Sequence, residues 1–162
     1  MLTPSDEKLL RRAIALSVRA RHAGNQPYAA LLADAQGRVL LEALNTQVTD
    51  RDCTAHAEFN LVQAASQRFD PGALAGCTVY ASGEPCPMCA GALYWGGVGR
   101  VVFGLSIATM TELAGPAADE LGLQCADVLA SGLRRVEVIG PALQDEARRV
   151  FTIEDAGGPD SA

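Results

Sequence analysis

Residues 52–103 read DCTAHAEFNLVQAASQRFDPGALAGCTVYASGEPCPMCAGALYWGGVGRVVF, and their patterning decides the fold. Apolar residues recur at helical spacing over 55–69 and stop before Pro71-Gly72, so this piece reads as a helix. Residues 77–81 (CTVYA) read as a short strand, followed by a turn at Ser82-Gly83-Glu84-Pro85. A second helix starts near Cys86 and runs to Trp95, where Gly96, Gly97 and Gly99 break it. Residues 100–103 form an apolar strand. The order is helix, strand, helix, strand.

Upstream, Thr3-Pro4-Ser5-Asp6 opens a helix: threonine is the N-cap, proline fits the first helical position, and Asp6 lies three after the cap. Gly24 closes it. Two strands, 28–33 and 39–44, flank a tight turn at Asp34-Ala35-Gln36-Gly37. Downstream come a helical piece at 109–114, a break at Gly115-Pro116, a helix at 125–130, a strand at 135–139 and a helix at 143–151. A hairpin followed by helix–strand alternation predicts an α/β fold. It is a three-layer α/β/α sandwich around a central mixed sheet of about five strands. Such a fold places one cleft at the carboxyl edge of the central strands. Residues 1–153 read as one domain, and 154–162 as a short polar tail.

Composition narrows the function classes. The 162 residues carry a net charge of −6, which disfavours a partner held mainly by its phosphates. No apolar run is long enough to span a bilayer, so no membrane role is expected. The polar start MLTPSDEKLL is no secretory signal, and a cytoplasmic location is the expectation. Five cysteines, an odd number, argue against a disulfide framework.

Cys86 and Cys89 sit three apart at the start of a helix, which puts both sulfurs on one side of its first turn. The N–H groups and positive end there favour thiolates. The pair alone also suits a structural zinc site or a thioredoxin-like redox pair. His56, at the start of the earlier helix, brings a third ligand, and no second C-x-x-C is present to complete a structural site. Glu58 is two residues after His56 and off its helix face. It is better placed to handle a proton on a metal-bound water than to be a fourth ligand. His22 and the Arg134-Arg135 and Arg148-Arg149 pairs read as solvated surface. Cys53 and Met88 read as packing residues.

H-x-E followed by P-C-x-x-C is the signature of zinc nucleobase deaminases. Residues 45–106 resemble the cytidine-deaminase superfamily, in the branch of guanine deaminases, fungal-type cytosine deaminases and bacterial tRNA adenosine deaminases. Asp52-Cys53-Thr54-Ala55-His56-Ala57-Glu58 resembles that branch's D-P-T-A-H-A-E, with Cys53 in place of proline. Glu84-Pro85-Cys86-Pro87-Met88-Cys89-Ala90-Gly91-Ala92 resembles its E-P-C-P-M-C-x-G-A. The resemblance implies zinc on His56, Cys86 and Cys89, and hydrolytic release of ammonia with Glu58 shuttling protons. It further implies that Asn45 and the Ala57 N–H contact the base, and that Trp95 and Tyr28 line its pocket. Pro27-Tyr28-Ala29-Ala30 departs from the family's P-F-G-A, and Gly83 replaces a side chain before E-P-C.

The expected substrate is a free base or small nucleoside, guanine-like because Trp95 resembles the guanine deaminases. A tRNA adenosine deaminase is the alternative. Its branch follows the strand at 100–104 with a charged loop, whereas residues 105–111 here (LSIATMT) carry no charge. A catalytically silent zinc-stabilised scaffold or partner subunit would be expected to have a damaged site, and all four key residues are intact. Family habit, with apolar faces at Leu93-Tyr94-Trp95 and 105–113, leads us to expect a homodimer.

Overall fold

Helix α1 (Pro4–His22) starts as its sequence dictates. The Thr3 hydroxyl accepts the Asp6 N–H at 3.1 Å, and the Asp6 carboxylate accepts the Thr3 N–H at 2.9 Å, so two otherwise unpaired donors are satisfied reciprocally. The structure, a computed structural model, describes residues 1–115 and 121–152. The tail at 154–162 and the proline of the Gly115-Pro116 break lie outside the described residues.

The hairpin pairs β1 (Ala29–Ala33) with β2 (Val39–Leu44) antiparallel, Ala29 facing Leu44, with an irregularity at Leu32/Ala33. β1 also pairs antiparallel with β3 (Thr78–Gly83). β3 runs parallel to β4 (Arg100–Leu105), and β4 parallel to β5 (Glu137–Ile139). The result is the expected mixed five-stranded sheet, in the order β2-β1-β3-β4-β5.

Side-chain alternation at period two sorts the core into two layers. Ala30, Leu32, Val79, Ala81, Val101 and Phe103 face one way. They pack under α3 (Ala57–Ser66), α5 (Pro87–Trp95) and α7 (Cys125–Ala130). Leu31, Tyr80 and Val102 face the other way, under α1 and α8 (Gln144–Thr152). Every residue of β1 is buried because both faces of the sheet are covered. Among the described residues no helix is long and apolar enough to cross a membrane.

Several boundaries differ from the sequence reading, each for a local reason. β3 continues through Ser82 and Gly83, where a turn was expected, because Gly83 still pairs with Leu105 of an equally extended β4. The first half of the Ser82–Pro85 turn is therefore strand. α3 starts at Ala57 because His56 is its N-cap. Ser106 caps α6 (Ile107–Ala114), accepting the Thr109 N–H at 3.2 Å, so that helix starts earlier than residue 109. β5 starts at Glu137, and the Arg134 guanidinium before it donates to the Tyr94 carbonyl at the end of α5 and to the Val98 carbonyl beyond it. Two one-turn helices, α2 (Gln47–Asp50) and α4 (Pro71–Leu74), carried no periodic signal. Gly99 lets the chain press against the Ala75 carbonyl, where any Cβ would collide.

Candidate active site

A cavity of about 310 Å³ opens at the carboxyl edge of β3. Its rim is built by the start of β1, the end of β2 and the starts of α3, α5 and α6. His56, Glu58 and Cys86 lie on its floor. His56 is the N-cap of α3 and Cys86 the N-cap of α5, both in extended conformation, so two helix N-termini converge. Pro87 takes the first position of α5, where its missing N–H costs nothing.

His56 Nδ1 lies 3.6 Å from Cys86 Sγ, and with Cys89 Sγ the three donor atoms all lie within 4.8 Å of one another. Tetrahedral zinc, with Zn–N about 2.1 Å and Zn–S about 2.3 Å, places N and S about 3.6 Å apart. The spacing of the three donors therefore fits such an ion, which His56, Cys86 and Cys89 would hold. The Cys86 thiol is pulled down to about 4, chiefly by a hydrogen bond from Cys89 and with help from the His56 imidazole. Cys89, bonded to Cys86 and buried, is held far up. A bound cation would displace the protons of such thiols.

Glu58 is buried and is not among the three clustered donors. Burial pushes its carboxyl up to about 7, partly opposed by a hydrogen bond from its own backbone N–H and then by the His56 imidazole. A carboxyl balanced near neutrality is suited to carrying a proton in both directions.

Asn45 lines the cavity from the end of β2 and is 1% exposed. Its N–H donates to the Tyr28 carbonyl. Its side chain bonds to Gln47, accepting the Gln47 N–H at 3.1 Å and donating Nδ2 to Oε1 at 2.8 Å. Tyr28 forms a wall, its ring backed by Phe151 with centroids 5.5 Å apart. At Gly83 a Cβ would come within 2.6 Å of Met110 Sδ and 3.2 Å of the Tyr28 ring, so these two side chains fill the space that a side chain at 83 would take. The buried Glu84 carboxylate accepts the Ile107 N–H and the Cys125 N–H, each at 2.9 Å, tying the starts of α6 and α7 to the metal-ligand turn.

The structure does not bring every expected residue to this cavity. Trp95 is 84% exposed at the far end of α5 and does not line it. A rise of about 1.5 Å per residue over nine residues carries it more than about 12 Å from the ligand end. Ala57 is fully buried at the first position of α3 and does not line the cavity, although its N–H has no acceptor within the helix. Met88 and Cys53, read as packing residues, both line the cavity. Met88 is half-buried in the first turn of α5, and Cys53 is exposed in the loop before His56. Gln26, Gln47, Glu84 and Leu121 were missed as lining residues. Glu84 lies in the quoted E-P-C block but had been given no role.

Comparison with known proteins agrees with this site. Residues 3–105 match the family described as the cytidine and deoxycytidylate deaminase zinc-binding region. A Schizosaccharomyces pombe protein named probable cytosine deaminase is 37% identical over 149 residues, 90% of each chain. A tRNA-specific adenosine deaminase of Haemophilus influenzae is 36% identical over 101 residues, covering 62% of this chain and 58% of that one. Among solved structures, a guanine deaminase from Nitrosomonas europaea superposes with a TM-score of 0.75 at 22% identity, over 94% of this chain and 84% of that one.

Proposed function

This chain is a deaminase of the cytidine and deoxycytidylate deaminase zinc-binding family, and from that premise we propose that it hydrolyses the exocyclic amino group of a small free base, guanine-like, with zinc on His56, Cys86 and Cys89. The observation that carries the choice of a small base is the cavity's lining. Among the described residues it holds no lysine or arginine, and its charged side chains besides the metal donors are Glu58 and Glu84. A tRNA held by its phosphates needs cations at the mouth of the site. Trp95, outside this cavity, lends the guanine preference no support. Support for a two-ring base rests instead on the cavity's volume and on the apolar sides offered by Tyr28, Met88 and Met110.

Zinc, when bound, supplies an activated water at neutral pH. Glu58 takes the proton from that water, delivers it to the ring nitrogen beside the amino-bearing carbon, and assists departure of ammonia. Asn45, on the cavity wall, holds the base by its polar edge. Tyr28 and Met110 cover its faces and exclude bulk water. We also propose a homodimer, since Trp95 and Leu133 are large apolar side chains left exposed around the end of α5.

The test is kcat/KM for guanine, cytosine, guanosine, adenosine and a tRNA anticodon stem-loop on one zinc-loaded preparation. Guanine is expected to lead, with cytosine next. A stem-loop deaminated far faster than every free base overturns the proposal in favour of tRNA editing. Cytosine far ahead of guanine overturns the two-ring preference alone.

A further inference from the structure

We infer that Gln47 is a positioning residue that fixes the polarity of the Asn45 amide toward the cavity and so selects the ring edge the site accepts. The inference rests on the reading above that Asn45 touches the base.

Hydrogen-bond direction fixes this polarity. A backbone N–H can only donate and a backbone carbonyl can only accept. The Gln47 N–H points at the Asn45 side chain at 3.1 Å, so the atom it meets is Oδ1. Asn45 Nδ2 then faces Gln47 Oε1 at 2.8 Å, and Gln47 Nε2 donates to the Cys53 carbonyl at 3.2 Å. Two amides in series are thus pinned at both ends by backbone groups of fixed polarity. Flipping Asn45 alone sets N–H against N–H and oxygen against oxygen. Flipping both side chains sets Gln47 Oε1 against the Cys53 carbonyl. Asn45 is 1% exposed, so bulk water does not compensate the flip of Asn45 alone, and the double flip is opposed by the lost Gln47–Cys53 bond and by the Gln47 N–H set against Asn45 Nδ2.

After these bonds Asn45 keeps one N–H and one oxygen lone pair. It can therefore grip a ring edge that offers an acceptor beside a donor, in one orientation. The backbone of this loop is held without the Gln47 side chain. The Thr46 N–H donates to the Ala55 carbonyl at 3.0 Å, the Asp52 N–H to the Gln47 carbonyl at 3.1 Å, and Asn60 Nδ2 to the Leu44 carbonyl at 2.9 Å. Removing the side chain should therefore free the Asn45 amide and leave the loop in place.

The experiment uses the zinc-loaded full chain with Gln47→Leu and Gln47→Glu. Glu keeps an acceptor for Asn45 Nδ2 but cannot donate to Cys53; Leu does neither. In ¹⁵N spectra without substrate, the Asn45 side-chain amide protons are expected to stay in place in Gln47→Glu. In Gln47→Leu the bonded proton should move upfield and exchange at least about tenfold faster. In turnover of guanine and cytosine, Gln47→Leu should raise KM about tenfold for the better base, with kcat within about twofold. Gln47→Glu should stay within about threefold of the parent. Unchanged Asn45 resonances in Gln47→Leu overturn the inference. So does a Glu variant as impaired as Leu, which would make Gln47 a mere tether to Cys53. A parent that deaminates neither base refutes the proposed reaction, and the spectra still decide the role of Gln47.

Discussion

Glu58 and Cys86 lie on the same cavity floor with different work to do, and single substitutions separate them. Glu58 is outside the trio of donor atoms, so Glu58→Ala is expected to fold and keep about one zinc per chain while kcat falls 10²- to 10⁴-fold. Elemental analysis beside ammonia release checks this, and loss of metal with activity would make Glu58 a ligand. Cys86→Ala removes one of three donors and should lose nearly all bound zinc; full retention would overturn the ligand set. His56, Glu58, Cys86 and Cys89 were legible because the H-x-E and P-C-x-x-C blocks resemble a known signature, and helix spacing added only that Cys86 and Cys89 share one side of a first turn. Trp95 was not, because likeness to a motif names a position on a helix but not what faces that position in space. Gln47 and Glu84 were illegible for another reason. Their partners, Asn45 and Cys53, Ile107 and Cys125, are brought to them by turns and by strand ends.

Elements are joined by a few buried polar ties, and each tie makes a prediction. Glu84→Ala leaves the first N–H of α6 and of α7 without its acceptor. At about 1–3 kcal/mol per buried unsatisfied donor, a loss of about 3 kcal/mol is expected in denaturant unfolding. A loss under about 0.5 kcal/mol would show that both helices find other partners. On the opposite face Asp6 ties α1 to the sheet, accepting from Arg100 at 2.6 and 3.0 Å and from the Tyr80 hydroxyl at 2.7 Å. The Arg100 guanidinium holds the Asp6 carboxyl well below the usual carboxylate range. A carboxyl lowered by folding stabilises above its unfolded pKa, and that contribution fades as pH falls toward the folded value. Asp6→Asn is thus expected to cost about 3 kcal/mol at pH 7 and progressively less below about pH 4. A cost independent of pH would assign the tie to packing. The start of α1 was readable because its capping partners lie within one turn. The extra length of β3 and β4 was not, because it depends on pairing between strands separated by a helix.

For the whole molecule, the exposed Trp95 and Leu133 lead to an expected dimer mass by light scattering at micromolar concentration, and to dissociation by Trp95→Glu. A monomer mass for the parent would refute it. Five strands and two covered faces were legible from alternating patterns alone, whereas nothing in those patterns reports what a second copy covers. A different consequence follows from the two N-caps. Neither the His56 nor the Cys86 side chain makes a capping hydrogen bond to its own helix. Both are turned to the common centre, where His56 Nδ1 lies 3.6 Å from Cys86 Sγ, so an ion held there would tie the starts of α3 and α5, on different segments of the chain, to each other. An ion there acts as a cross-link present in the native state and absent from the denatured one. Metal uptake and folding then share one equilibrium. The melting temperature should climb with the logarithm of free zinc set by a metal buffer, reaching about 2.7 kcal/mol of added stability at a hundredfold excess over the dissociation constant. Calorimetry that finds the same melting temperature under a strong chelator and under buffered zinc would uncouple the two.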